Sequence, residues 1–466
     1  MIKNLRMGIN RQPHPDFAEL QRRRAELLHD TPEPEPAPEP TREPTPQPPP
    51  QARLTPLQPP AKFHLREQAL YGLAGQVVRT LAPHTEAHPA AILLQFLAAF
   101  GNAAGPGPHC LVGPASHRLN LFVVLVGESS KARKGTSWNQ IERLFAEVDQ
   151  HWVNTRITTA RLGAAGLVHA LRDQQPPTDR RLLAVAEEFA SILHTIKRAQ
   201  GHLSSLLRCA WDNGHLRMLD GSDPLRATNT HISLIAHITE RELAQHLDPT
   251  EAHNGFANRC LWTSVHRSQC LPSGGALRAH ELMPITHQLR QALDWAGTAT
   301  DTVLSRDQAA ESLWEECYPD LSQARPGLFG AATSRAEAQV LRLSAIYAAL
   351  DCSSLITVPH LEAALAVWEY CSASASELFG TSTGDLTADR IKLAIEESKD
   401  GLSRKQIRGL FHGHVSSDRI EAALEQLISL GVLTHHLQPG RGRHASVWSS
   451  LPDAGQIDPA TTQEHP

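Results

Sequence analysis

The chain has no CxxC pair. Its seven cysteines (Cys110, Cys209, Cys260, Cys270, Cys317, Cys352 and Cys371) are scattered and odd in number. This usage excludes a zinc ribbon or a disulfide framework and points to a reducing compartment. Histidine is abundant, yet no pair stands at metal-ligand spacing beside a cysteine. No apolar run is long enough to span a bilayer and no signal-like apolar segment lies near the start, so a cytoplasmic protein with no membrane partner is expected. A basic excess is missing too: the net charge is -5, so any nucleic-acid contact must come from a local patch. At 466 residues the chain has room for two or three domains, each with its own core.

Residues 1–62 read as a disordered tail. A basic amphipathic patch (Leu20, Arg22, Arg23, Arg24, Leu27, Leu28) is either a short helix or part of a mobile arm. From Thr31 the composition turns to Pro, Glu, Gln and Thr, which cannot bury enough apolar surface to offset ordering entropy. Globular patterning starts at Phe63. Leu70, Leu73, Ala74, Val77, Val78 and Leu81 form one helical stripe. Pro89 opens a second helix, expected to stop at Gly101. Cys110–Val112 reads as a short strand.

The stretch around which the rest is organised is LNLFVVLVGESSKARKGTS, Leu119–Ser137. An apolar strand ends at Gly127, a small basic loop follows, and a helix then carries Trp138, Ile141, Leu144, Phe145 and Val148 on one face. Strand, glycine-led loop and helix together make a phosphate cradle, because backbone N–H groups and the positive helix end converge on an anion. The usual spelling, Gly-four residues-Gly-Lys-Ser/Thr, is not met. Arg133 falls where the second glycine belongs, with Lys134 on the lysine and Gly135 before Thr136. An ordinary basic turn stands as the alternative.

Later segments bear on that choice. LLAVAEEF, Leu182–Phe189, is an apolar strand ending in Glu187 and Glu188. In a nucleotide hydrolase such acids hold Mg²⁺ and orient the attacking water; a helix start also favours acids. Ile232–Ile238 is another buried strand, and Thr239–Glu242 reads as a capping box. His237, near that strand's end, is either a sensor of the bound phosphate or a hydrogen-bonded core histidine. Arg259 precedes the apolar strand from Cys260 to Val265. It is either an arginine finger acting across a subunit boundary, which requires a homo-oligomer, or half of a structural salt bridge. Leu216–Thr230 reads as a hairpin turning at Asp220-Gly221, with Arg217 and Arg226 available to single-stranded DNA.

After Ser273-Gly274-Gly275 the chain to Gly380 reads as all helix. Residues 385–451 then read as a winged helix-turn-helix: three short helices and a basic hairpin. Its cations, Arg404, Lys405 and Arg408 in the second helix and Arg441 and Arg443 in the wing, suit phosphate contact better than base reading. A protein-contact role is the alternative.

Several long motifs, in order, resemble the YfjI-type P-loop proteins of plasmids, phages and other mobile elements, often labelled replicative helicase or primase-associated ATPases. They are PHTEAHPAAILLQFLAAFGN, LNLFVVLVGESSKARKGTS, LLAVAEEFASIL, LRCAWDNGHLRML, HISLIAHITERELAQ, NGFANRCLW and SRAEAQVLRLSAIYAALD, spanning about Leu70 to Gly380. The resemblance implies an α/β fold with a RecA/AAA+-like P-loop core and N-terminal helices over 63–270. A helical lid over 271–380 would follow; beyond the resemblance, the polar composition past Leu451 reads as a disordered tail over 452–466. The resemblance also implies ATP and Mg²⁺ as ligands and DNA as partner. Gly127, Lys131, Arg133, Lys134, Gly135, Thr136 and Ser137 would form the phosphate site. Thr136 and Glu187 would hold the metal, and Glu188, His237 and Arg259 would act in catalysis. The RKGT spelling recurs in this family, which places the loop lysine at Lys134. Three acids commonly end the family's second strand, and Ala186 replaces the first here. The function implied is a DNA-associated, ATP-driven motor; the alternative is a nucleotide-gated DNA-binding regulator with little turnover.

Overall fold

The structure is a computed structural model that describes residues 64–450, except 130, 160, 176–177, 199–201, 220–223, 249–250, 252, 381, 384, 399 and 439–444. The tail over 1–62, the Asp220-Gly221 turn, Arg441, Arg443 and the 452–466 segment therefore lie outside the described residues.

Two helices come first, α1 (Gly72–Leu81) and α2 (Pro89–Ala104), then a hairpin of β1 (His109–Val112) and β2 (Ala115–Arg118). The central unit follows as β3 (Phe122–Val126), α3 (Lys134–Ala146), α4 (Gln150–Arg156), β4 (Ile157–Thr158), α5 (Ala164–Ala170), β5 (Arg181–Ala186), α6 (Phe189–Arg198) and α7 (His202–Asp212). A small hairpin of β6 (Leu216–Met218) and β7 (Leu225–Ala227) leads into β8 (His231–Ile238), α8 (Glu240–His246) and β9 (Cys260–Ser264). Strands β4, β5, β8, β3 and β9 form one parallel sheet in that order.

The strands of this sheet are covered on both faces, which is why they read as near-continuous apolar runs. Alternate residues face two separate cores. Val123, Leu125, Leu183, Val185, Ile235 and Leu261 pack with α1–α3. Phe122, Val124, Val126, Ala184, Leu234 and Trp262 pack with α5–α7. The chain is thus an α/β protein with a five-stranded parallel sheet flanked by helices.

Helix α2 does not stop at Gly101. It continues to Ala104 and ends at Gly105, whose φ of 80° suits a glycine C-cap. Gly101 serves close approach instead: a Cβ there would sit 2.1 Å from Leu119 O, at the entry to β3. Strand β4 has only two residues, too few to carry a periodic signal in the sequence.

Downstream come α9 (Ala279–Thr298), β10 (Ser305–Arg306), α10 (Gln308–Leu321), α11 (Gly327–Thr333), α12 (Ala336–Leu350), β11 (Leu355–Ile356) and α13 (Val358–Phe379). These helices are not set apart from the sheet as a lid would be. Val340, Leu343, Ile346 and Leu361 share one core with Leu93, Phe96 and Val123. The cause lies in α12, which is buried around nearly its whole circumference.

The C-terminal unit has its own core, built by Ile391, Ile395, Ile407, Ile420, Leu424, Leu427 and Trp448. Its elements are α14 (Leu386–Glu396), β12 (Leu402–Ser403), α15 (Arg404–Gly409), α16 (Ser417–Ser429), β13 (Leu433–Gln438) and β14 (Ala445–Ser450). The last two strands form an antiparallel hairpin, and β12 adds to the far side of β14.

Candidate functional site

In a parallel sheet every strand delivers its C-terminal end to the same edge, and the loops at that edge make the site. Here Val126 of β3 pairs with Ile238 of β8, and Ala186 of β5 pairs with Ala236, one residue short of His237. Three separate segments therefore meet above one edge. They line a cleft of about 500 Å³ that includes Arg133, Lys134, Gly135, Thr136, Glu187, Glu188 and His237.

The loop after β3 is held tightly at its start. Gly127 packs so close that a Cβ would fall 2.2 Å from Val265 O, while its N–H donates to Ile238 O at 3.2 Å. Its glycine is required by packing. Arg133, in the position of the usual second glycine, adopts φ 54° and ψ 30°. That left-handed conformation costs a non-glycine residue about 1–2 kcal/mol. The loop thus keeps the glycine's backbone shape without the glycine. Arg133 Nε donates to Glu86 Oε2 at 2.5 Å, and the Glu86 side chain is only 13% exposed.

Lys134 begins α3, and its Nζ turns back to donate to Gly127 O at 2.5 Å and Glu128 O at 3.2 Å. Burial holds its ammonium below the ordinary lysine value, with Glu242 opposing the shift. Thr136 is exposed and lines the cleft, as does Gly135, beside which a Cβ would meet open space.

Three expected loop ligands do not line the cleft: Gly127, packed against Val265 O, Ser137 and Lys131. Ser137 is fully buried; it accepts from Gln95 Nε2 at 2.6 Å and donates to Lys134 O at 2.6 Å, pinning α3 to α2. Three residues into a helix is far enough around its axis to face the core. Lys131 is exposed and does not line the cleft.

Glu187 and Glu188 are exposed and line the same cleft. Phe189 then starts α6, so both carboxylates sit at a strand end and just before a helix. His237 is buried, yet its Nε2 has no hydrogen-bond partner. Burial, and then the Lys134 ammonium, push its imidazole down to about 4, so it is neutral at physiological pH. A buried ring nitrogen without a partner is costly in a finished core. Here it borders a cleft where a ligand can complete it.

The cleft also holds groups that the sequence reading did not place there. Glu128 and Glu242 join Glu187 and Glu188, so four glutamates line the cleft with Lys134 and with Arg133, whose side chain is paired with Glu86. Glu242 does close the expected capping box with Thr239, and those bonds hold its carboxyl below the usual range. With this excess of negative charge, a bare polyanion is disfavoured and a complex with a divalent cation is favoured. The Thr136 hydroxyl and the carboxylates of Glu187 and Glu188 are hard oxygen donors of the kind Mg²⁺ takes, with water and phosphate completing its shell.

Arg259 is not at this edge. It precedes β9, which runs parallel to β3, so five residues of strand put it roughly 15 Å below the cleft. There its Nη2 donates to Asp212 Oδ2 at 2.7 Å, and its side chain is only 6% exposed. Three guanidiniums gather on the Trp211 indole: Arg259 at 5.7 Å, Arg335 at 5.5 Å and Arg342 at 3.6 Å from the ring centre. Arg342 is buried and donates to Asn120 Oδ1 at 2.7 Å and Trp211 O at 2.7 Å. Arg217 and Arg226 are exposed, and the hairpin that carries them precedes β8, at the same lower edge.

In the C-terminal unit Arg404 is ion-paired with Glu421, whereas Lys405 and Arg408 are exposed. No group of three or more metal-ligating side chains gathers among the described residues. None of their helices is long and apolar enough to cross a membrane. Comparison with protein-family models and with curated proteins finds no match to this chain.

Proposed function

We propose that the upper cleft binds a Mg²⁺–nucleoside triphosphate and hydrolyses it, and that the chain is a DNA-associated ATPase of the RecA/AAA+-like P-loop class. The observation that carries this reading is convergence. Lys134 and Thr136, both acids of a second strand and an unpartnered His237 from the strand between them line one cleft. Lys134 neutralises phosphate charge, Thr136 and Glu187 hold the metal, and Glu188 orients the attacking water. His237, neutral and short of a partner, reads the phosphate or that water. When bound, Mg²⁺ supplies charge neutralisation on the phosphates. The YfjI-type resemblance supports the same class and a mobile-element setting.

The hairpin supports DNA as the partner. Arg217 and Arg226 are direct cross-strand neighbours and both exposed. Like charges in that register are destabilising unless an anion lies across them. Arg259, buried in its pair with Asp212, favours the structural salt bridge; an arginine-finger role would require that pair to open and a homo-oligomer to form. A nucleotide-gated regulator with little turnover is the second reading, favoured by Ala186 at the strand end and by the acidic cleft.

Steady-state ATP hydrolysis by wild type and Lys134→Ala, with and without single-stranded DNA, separates the two. The motor requires Lys134-dependent turnover that DNA stimulates, and loss of that stimulation when Arg217 and Arg226 are both reversed to Glu. Absence of Lys134-dependent turnover in every condition leaves the regulator.

A further inference from the structure

We propose that Glu86 is the positioning residue of the phosphate loop, doing through an ion pair what a second glycine does in the usual spelling. Arg133 holds φ 54°, a conformation that L side chains avoid, and it does so at the residue from which α3 starts. Its side chain is turned to Glu86, with Nε to Oε2 at 2.5 Å. The far side of Glu86 is fixed as well: Leu271 N donates to its Oε1 at 2.8 Å, and Arg267 Nε lies 3.8 Å from its Oε2.

The segment around Glu86 is itself stitched down. Ser268 donates to Ala87 O at 2.9 Å, and Gln269 Nε2 donates to Ala82 O and Thr85 O, each at 2.7 Å. Glu86 therefore ties the loop to a braced piece of chain between α1 and α2, next to the segment leaving β9. A charge-assisted pair of this kind fixes direction as well as distance. Arg133 accordingly shapes the loop, and Glu86 is its anchor. This role rests on the nucleotide reading of the cleft, but the coupling itself does not.

The test is a double-mutant cycle in the full chain with Glu86→Gln, Arg133→Gly and both. Two quantities are read: the Kd for Mg²⁺–ATP, and amide hydrogen exchange over residues 131–137 without nucleotide. Glu86→Gln alone should weaken binding about tenfold and speed exchange at Arg133 and Lys134. In the Arg133→Gly background the same substitution should change neither, because glycine takes the left-handed conformation unaided. Wild-type binding and exchange in Glu86→Gln, or an equal loss in both backgrounds, would overturn the role. If wild type binds no nucleotide, the functional reading fails while the exchange cycle still decides whether Glu86 acts through Arg133.

Discussion

The two edges of the sheet use the same kinds of residue to opposite ends. At the lower edge, Arg259, Arg335 and Arg342 stack on Trp211, and Asp212, Asn120 and backbone carbonyls accept from them. At the upper edge, Lys134 falls back on its own loop's carbonyls, His237 Nε2 has no partner, and two carboxylates stand exposed. Strand β8 joins the two. His231 at its start bonds Gly101 O at 2.8 Å, whereas His237 near its end opens on the cleft. The lower edge has open atoms too: Trp211 Nε1, Arg342 Nε and His231 Nδ1. What sets the upper edge apart is that its unpartnered His237 and its exposed acids line one cleft.

The contrast can be broken most forcefully with one substitution at each edge. Glu188→Gln should lower ATP turnover by about 10²–10⁴-fold while leaving nucleotide binding and the unfolding midpoint near wild type. Single-turnover assays and urea titration measure both, and a loss of stability without loss of turnover would make Glu188 a structural residue. Arg342→Ala should do the reverse. Losing a buried cation that serves Asn120 and Trp211 should cost about 3–5 kcal/mol of stability. Nucleotide affinity per folded molecule should hold.

A smaller effect concerns pH. Burial pushes His88 and His231 down to about 3 and His237 down to about 4. Below the ordinary histidine value the unfolded chain binds protons that the folded chain refuses, so stability falls as pH drops through that window. Each of these histidines contributes up to about 1.4 kcal/mol per pH unit there. Urea unfolding at pH 7.5, 6.0 and 5.0 should show that decline, and His237→Gln should flatten it by one histidine's share.

Much of the upper edge was legible in the sequence because buried parallel strands announce themselves as apolar runs, and the polar residues that end them are conspicuous. Glu187, Glu188 and His237 stand out in this way, while Lys134 and Thr136 come from the resemblance, and all five line one cleft. Ser137 was misplaced because adjacency in sequence is not adjacency on a helix: the turn carries it to Gln95. Arg259 stands at the start of a strand that ends at the cleft, and at that start it pairs with Asp212, the structural alternative for it. Glu86 and Glu242 were missed for a different reason. One lies in a loop before α2 and the other looked only like a cap, and neither position signals convergence until the chain is folded. Helix α12 is apolar enough to pack from both sides, so Val340, Leu343 and Ile346 share one core with Leu93, Phe96 and Val123.

Equilibrium titration of Mg²⁺–ATP into wild type, Lys134→Ala and Arg335→Ala tests the assignment of the two edges most directly. The upper cleft as nucleotide site predicts saturable binding by wild type, at least a tenfold loss in Lys134→Ala, and wild-type affinity in Arg335→Ala. Wild-type affinity in Lys134→Ala, or a loss confined to Arg335→Ala, would contradict it.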